Sequence, residues 1–132
     1  MKYLLDTCIV SYFARGEQKV LQHIKNTAPT DICISSITSM EIEFGLQLNP
    51  DRAKKLHGVL NAFLKSINIL PFELADAHAA ATLRALLQKQ GSPIGPYDVL
   101  LAGCALNRSL IFVTANNHEF QRVDNLCLED WR

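Results

Sequence analysis

The sequence predicts an α/β protein with a mainly parallel central sheet of four or five strands and helices on both faces. Short apolar runs without alternation, typical of strands buried on both faces, recur along the chain. Longer stretches with helical spacing of apolar residues lie between them, and strands that alternate with helices favour a parallel sheet. The 132 residues contain no repeat or linker, so we expect one domain over residues 1–132.

Eleven elements are expected from these patterns. In order, they are a strand at 3–5, a helix at 7–14, a helix that Pro29 closes, a strand at 32–34, helices at 38–48 and 51–66, a strand at 67–70, helices at 73–90 and 96–107, a strand at 110–113 and an edge strand at 126–128.

Glycine and proline mark the ends of the predicted helices. Arg15-Gly16 ends the first helix, Pro29 closes the second, and Asn49-Pro50 separates the third from the fourth. Gly91 stops the fifth helix, and Pro96 suits the first position of the sixth. Because the sixth helix is almost wholly apolar, we expect it to be deeply buried.

Composition excludes several classes of protein. Lys and Arg number 13, as do Asp and Glu, so a nucleic-acid partner would have to meet a local basic patch. The four cysteines form no CxxC pair, which argues against a zinc site and a disulfide framework and for a reducing compartment. No apolar run approaches the ~20 residues that span a bilayer. We therefore expect a cytoplasmic protein with no membrane segment.

Two carboxylates follow predicted strands, and each also has a purely structural interpretation. Asp6 comes directly after the first strand, where parallel sheets hold ligands, but aspartate is also a good helix N-cap. Glu41 follows the second strand, and its spacing from Thr38 is that of a capping box. Glu43 is also close, but it points to a different side of the helix. Glu41 is therefore the better candidate.

Further polar residues return to the same edge of the sheet. Asp98 lies in the first turn of the apolar sixth helix, where the helix dipole favours a carboxylate and an enclosed one needs a cation. Thr114, Asn116 and Glu119 follow the fourth strand, either as a surface turn or as part of a site. Gathered carboxylates repel one another unless neutralised, and oxygen ligands select Mg²⁺ or Mn²⁺. Such a site supports phosphodiester hydrolysis by activated water.

These residues resemble those of the PIN-domain endoribonucleases, specifically the VapC toxins of toxin–antitoxin pairs. The resemblance runs over essentially the whole chain. It rests on Leu5-Asp6-Thr7, residues 34–41 with Gly45, residues 91–98 with Ala102, Val113-Thr114, Glu119-Phe120 and residues 128–131. It implies a PIN-like three-layer α/β/α sandwich.

The resemblance also implies roles for individual residues. Asp6, Glu41 and Asp98 match the family's metal-binding acids, for Mg²⁺ or Mn²⁺. The fourth acid matches Glu119 or Asn116; Asn116 brings no charge, so Glu119 ranks first. These five residues form the expected catalytic set.

The resemblance implies partners as well. It implies cleavage of RNA, with tRNA as the expected target, a VapB-like antitoxin, and homodimers that form heterotetramers or larger assemblies with it. Arg84 and Lys89 are candidate RNA contacts, equally well explained as a solvated helix face. Thr114 and Thr38 are expected to support the site by hydrogen bonding.

One residue departs from the family's pattern. Cys8 stands where these proteins usually have Asn, and a thiol cannot supply the same amide hydrogen bonds. Together with Asn116, it leaves open an alternative: a catalytically weakened PIN fold that serves as a protein-binding module. A phosphoaspartyl hydrolase is excluded because it needs a second acid at the position of Cys8.

Overall fold

A five-stranded sheet lies at the centre of the molecule. The computed structural model describes residues 1–132. Its elements are β1 (Tyr3–Leu5), α1 (Thr7–Ala14), α2 (Gln18–Lys25), a 3-10 turn (Pro29–Asp31), β2 (Ile32–Ser35), α3 (Ser36–Leu48), α4 (Pro50–Ser66), β3 (Asn68–Leu70), α5 (Leu74–Lys89), α6 (Pro96–Arg108), β4 (Ile111–Val113), α7 (Asn117–Phe120) and β5 (Leu128–Glu129). None of the helices is both long enough and apolar enough to cross a membrane.

The strand order is β3-β2-β1-β4-β5, and every neighbouring pair is parallel. The predicted α/β class is therefore confirmed, with five strands rather than four. Because the strands are parallel, their carboxyl ends share one edge of the sheet. Asp6, directly after β1, and Thr114, directly after β4, lie at this edge.

Alternation along the short strands divides the core between two faces. Leu4 and Phe112 point into a cluster with α5 and α6, whereas Leu5 and Val113 point into a cluster with α1, α2 and α4. Trp131 is 1% exposed and belongs to the second cluster. The result is the expected three-layer sandwich, with helices covering both faces of a parallel sheet.

Three predicted boundaries are wrong. The second helix ends at Lys25, before Pro29, and the edge strand lies at Leu128–Glu129. The third helix begins at Ser36, two residues early, because Ser35 caps it by accepting from the Ile37 N–H at 3.1 Å. A serine at the end of a strand supplies this cap as well as a threonine in the next turn would.

Helices α5 and α6 pack closely and share an ion pair whose carboxylate is buried. A Cβ at Gly103 would lie 2.7 Å from the Ala80 backbone, so only glycine allows this approach. Asp76, 0% exposed, accepts hydrogen bonds from Arg108 Nε at 3.1 Å and Nη2 at 2.9 Å, and from Asn107 Nδ2 at 2.9 Å. The pair joins the start of α5 to the end of α6.

Candidate active site

Asp6 is held at the carboxyl end of β1 by three donors from two parts of the chain. Its Oδ1 accepts from the Thr7 N–H at 2.7 Å, which is the predicted N-cap of α1. Its Oδ2 accepts from the Thr114 hydroxyl at 2.8 Å and from the Cys8 thiol at 3.5 Å. Burial raises the pKa of Asp6, and these hydrogen bonds oppose the rise. The carboxylate is thus both a cap and part of a polar cluster.

Glu41 comes to the same edge from the second turn of α3. Its Oε1 accepts from the Thr7 hydroxyl at 2.9 Å. The predicted capping box with Thr38 is wrong, because Ser35 already caps the helix. Thr38 is instead fully buried, with its hydroxyl 3.1 Å from that of Thr7. Both residues therefore face Thr7, on the neighbouring helix α1.

Asp98 and Glu119 meet around Gly95, the residue that precedes α6. A Cβ at Gly95 would lie 2.8 Å from Asp98 Oδ2 and 3.7 Å from Glu119 Oε1. The Gly95 N–H donates to Glu119 Oε1 at 2.7 Å. Glycine at this position leaves room for one carboxylate while its backbone amide anchors the other.

Asn116, the residue before α7, and Glu119, in α7, form a hydrogen-bonded pair after β4. Asn116 Nδ2 donates to Glu119 Oε2 at 2.8 Å, and its backbone N–H donates to Thr114 Oγ1 at 3.0 Å. The hydrogen bond from the Gly95 amide, followed by that from Asn116, holds the pKa of Glu119 below its ordinary value in spite of partial burial. Glu119 is therefore ionised at neutral pH, with both oxygens engaged.

The carboxylates interact electrostatically. Burial, followed by the negative charges of neighbouring carboxylates, raises the pKa of Asp98 to about 7. Those neighbours, in order of effect, are Asp6, Glu119 and Glu41. The two ion pairs of the molecule, Arg108–Asp76 and Arg132–Asp130, include none of the four acids. No side chain therefore forms an ion pair with the cluster, although the positive charge of Arg122 acts on Glu119 from a greater distance.

The donor set has the chemistry of a hard-cation site, because its groups are carboxylate, amide and hydroxyl oxygens. However, no three His, Cys, Asp or Glu side chains stand close enough together to hold a metal ion as they are placed. Coordination by three of the acids would need their side chains to move toward one another.

Two groups of predicted site residues lie at or beyond the margin of the cluster. Burial, followed by the charge of Asp6, raises the pKa of Cys8 to about 11, so the thiol stays protonated and can donate. Arg84 lines a cavity of about 160 Å³ with Pro96, near the start of α6 but with no contact to the acids. Lys89 is exposed at the end of α5. Neither cation contacts the acidic cluster.

A groove of about 390 Å³ opens beside the cluster, between α1, α3 and α4. Thr7 and Glu41 belong both to its lining and to the acidic cluster, and Arg15 and Arg52 line it as well. The groove therefore reaches the acids directly.

Two site residues were not among the sequence candidates. Thr7 appeared only as part of a motif, and its hydroxyl reaches Glu41 across 34 positions of sequence. Gly95 contacts Glu119 across 24 positions. The one available signal was local: Thr7 begins a helix next to a candidate acid, and Gly95 precedes the helix that carries another.

The fold and the acidic edge define a PIN-domain protein. The chain matches the family described as PIN domain over residues 3–126, and it belongs to that family. Within the family it belongs with the VapC ribonucleases. It is 36% identical to the tRNA(fMet)-specific endonuclease VapC of Shigella flexneri over 131 residues, which cover 99% of this chain and 98% of that one. It is 33% identical to ribonuclease VapC2 of Haemophilus influenzae, with the same coverage.

Solved structures of toxin–antitoxin complexes have the same fold. The chain superposes on a chain of VapBC2 from Rickettsia felis, bound to a DNA fragment from their promoter, with a TM-score of 0.91, 30% identity and full coverage of both chains. The DNA-bound VapBC of Salmonella typhimurium gives a TM-score of 0.90 at 32% identity, covering 100% of this chain and 99% of that one.

Proposed function

We propose that this protein is an endoribonuclease of the VapC type that hydrolyses RNA phosphodiester bonds with Mg²⁺ or Mn²⁺. Asp6, Glu41 and Asp98 hold the cation. Membership of the family supports the ribonuclease activity, and the chemistry of the acidic cluster supports the metal. A cytoplasmic location follows from the RNA substrate.

The observation that carries the metal proposal is the unbalanced charge of the cluster. The charges of Asp6, Glu119 and Glu41 act on Asp98 at one edge of the sheet, and no Lys, Arg or His side chain forms an ion pair with any of these four acids. Burial, and after it this repulsion, raises the pKa of Asp98 to about 7. A divalent cation would offset the charge and draw the side chains together.

The residues of the acidic cluster have different proposed roles. Asp6, Glu41 and Asp98 would hold the cation, which would supply a water of lowered pKa and positive charge for the phosphoryl oxygens. Thr114 and Cys8 orient Asp6 through its Oδ2. Glu119, anchored by the Gly95 amide, fixes the start of α6 and hence Asp98. Either Glu119 or its hydrogen-bonded neighbour Asn116 would help to place the attacking water.

The substrate and the antitoxin follow from the relatives. The Shigella flexneri relative is named for cleavage of tRNA(fMet), so initiator tRNA is the first RNA to test. The Rickettsia and Salmonella complexes pair toxin with antitoxin, so we propose a VapB-like antitoxin and dimers that assemble further with it. Arg84 and Lys89 are proposed contacts for RNA phosphates, which bind cations.

The test is cleavage of initiator tRNA by the purified protein, followed on denaturing gels. We expect cleavage in Mg²⁺ or Mn²⁺, none in EDTA, and a loss of at least about 100-fold in Asp98→Asn, since a metal ligand and its charge are removed. Asp124→Asn, an exposed acid away from the cluster, is the matched control and should cleave normally. Undiminished cleavage in EDTA or by Asp98→Asn would overturn the metal proposal.

A further inference from the structure

Thr7 is the one residue that hydrogen-bonds two of the candidate metal ligands. Its backbone N–H donates to Asp6 Oδ1 at 2.7 Å, and its hydroxyl donates to Glu41 Oε1 at 2.9 Å. Asp6 follows β1 and Glu41 lies on α3, so Thr7 links acids that two different strands deliver. Each carboxylate keeps one oxygen that Thr7 does not engage.

Glu41 and Thr38 together determine which way the Thr7 hydroxyl donates. The Thr7 and Thr38 hydroxyl oxygens lie 3.1 Å apart. A hydroxyl has one proton and a carboxylate can only accept, so the Thr7 proton goes to Glu41 and the Thr38 proton goes to Thr7. Because Thr38 is fully buried, this second hydroxyl cannot turn to solvent. The chain Thr38–Thr7–Glu41 therefore defines one orientation of the glutamate.

The two acids are supported in different ways. Asp6 has two further donors, from Thr114 and Cys8, and its position does not depend on the Thr7 hydroxyl. Glu41 accepts only the hydrogen bond from Thr7 and is only partly buried. Loss of that hydroxyl would release Glu41 and leave Asp6 in place.

We propose that Thr7 is a positioning residue that keeps Glu41 beside Asp6, so that both can bind the same divalent cation when the side chains of the cluster draw together. The inference rests on the proposed metal-dependent function. Hydrogen bonds to ligating carboxylates set their orientation, and losing such a partner typically weakens metal binding by 10- to 100-fold. Thr7 thereby sets the metal affinity without touching the metal.

The affinity for Mn²⁺ in the absence of RNA tests this positioning role directly. It can be measured by calorimetry or from the electron paramagnetic resonance signal of unbound Mn²⁺. Thr7→Val keeps the backbone N–H and the shape but removes the hydroxyl, and we expect Mn²⁺ to bind about 10-fold more weakly. Thr7→Ser keeps the hydroxyl and should bind within about twofold of the unsubstituted protein. Thr82→Val makes the same change at an exposed position of α5 and should leave binding unaltered. Thr38→Val should weaken Mn²⁺ binding by less than Thr7→Val and by more than Thr7→Ser.

A second measurement needs no metal. If Thr7 and Glu41 interact, the effects of Thr7→Val and Glu41→Ala on the urea midpoint will not add in the double variant. Unaltered Mn²⁺ affinity in Thr7→Val, or additive effects in this cycle, overturns the inference and leaves the proposed function standing. Absence of Mn²⁺ binding by the unsubstituted protein would instead overturn the proposed metal site, and the inference with it.

Discussion

Asp6 and Asp76 are both buried aspartates at the start of a helix, but only one of them has a cation. Asp76, fully buried, receives two hydrogen bonds from the Arg108 guanidinium, which also carries the compensating charge. Asp6, 6% exposed, receives hydrogen bonds only from an amide, a hydroxyl and a thiol, all neutral. The same residue type thus serves two different purposes.

The difference appears in their proton affinities. Burial favours the neutral form of both carboxyls, but at Asp76 the hydrogen bonds from Arg108 and its neighbours prevail and hold the pKa below its ordinary value. At Asp6 burial prevails, and the pKa is raised. A guanidinium partner compensates the charge of a buried carboxylate, whereas a buried carboxylate with only neutral donors still lacks positive charge. Because Asp6 has no positively charged partner, the edge of the sheet after β1 is suited to a cation.

The largest expected effect comes from removing the cation at Asp76. Arg108→Met leaves this carboxylate buried without its partner, and we expect unfolding to become easier by about 3 kcal/mol, measured by urea denaturation. Adding Asp76→Asn to Arg108→Met should recover part of the loss, because the unpaired charge is then removed. A loss below about 1 kcal/mol would mean that the pair acts like an exposed one and that the contrast with Asp6 is false.

Supplying a cation to the acidic cluster should have the next largest effect. Mn²⁺ at 100 times its Kd would stabilise the protein by about 2.7 kcal/mol through binding to the folded state, measured by thermal unfolding against EDTA. Asp98→Asn should lose most of this increment, whereas Asp124→Asn should keep it. An equal increment in Asp98→Asn would show that the ion binds elsewhere.

A smaller effect is expected from pH in the metal-free protein. The folded-state pKa of Asp98, about 7, lies above the value of about 3.9 for an unfolded chain, so the folded state binds this proton more tightly. Its contribution to stability is complete below pH ~4 and is lost as pH rises through about 7. Because Asp98 is only partly buried, solvent screens part of this effect.

Asp98→Asn removes this dependence. In EDTA, the variant should melt at a higher temperature than the unsubstituted protein at pH 8, and the difference should shrink steadily as the pH falls to about 4. A lower melting temperature for Asp98→Asn at pH 8 would contradict the interpretation that its charge is uncompensated.

The sequence predicted those features that local patterns determine. Apolar runs placed the strands within one residue, except at the C-terminal edge, where the strand begins two residues late. The position of Asp6 and Asp98 at helix starts followed from the same patterns. The interaction of Thr7 with Glu41 could not be predicted, because it depends on how α1 and α3 lie against each other. The Asp76–Arg108 pair likewise depends on the close packing that Gly103 allows between α5 and α6.

Capping residues show a second limit of local patterns. Ser35 and Thr38 are both acceptable N-caps, and three-residue spacing to Glu41 favoured Thr38. In the structure, Ser35 at the end of β2 is the N-cap of α3. The Thr38 side chain instead points inward to Thr7. The roles of Asp6, Glu41, Asp98, Asn116 and Glu119 in catalysis stay predictions.

The smallest expected effect concerns Cys8, one of the neutral donors on Asp6. A thiol is a weak donor, and Cys8→Asn would supply an amide N–H to the same carboxylate. A hydrogen bond is worth about 1 kcal/mol, so we expect up to about fivefold faster tRNA cleavage in Cys8→Asn and slower cleavage in Cys8→Ala. Equal rates in all three proteins would mean that the thiol contributes nothing to orienting Asp6. Cleavage by Cys8→Asn alone would identify the thiol as a lesion and favour a protein-binding role for the unsubstituted chain.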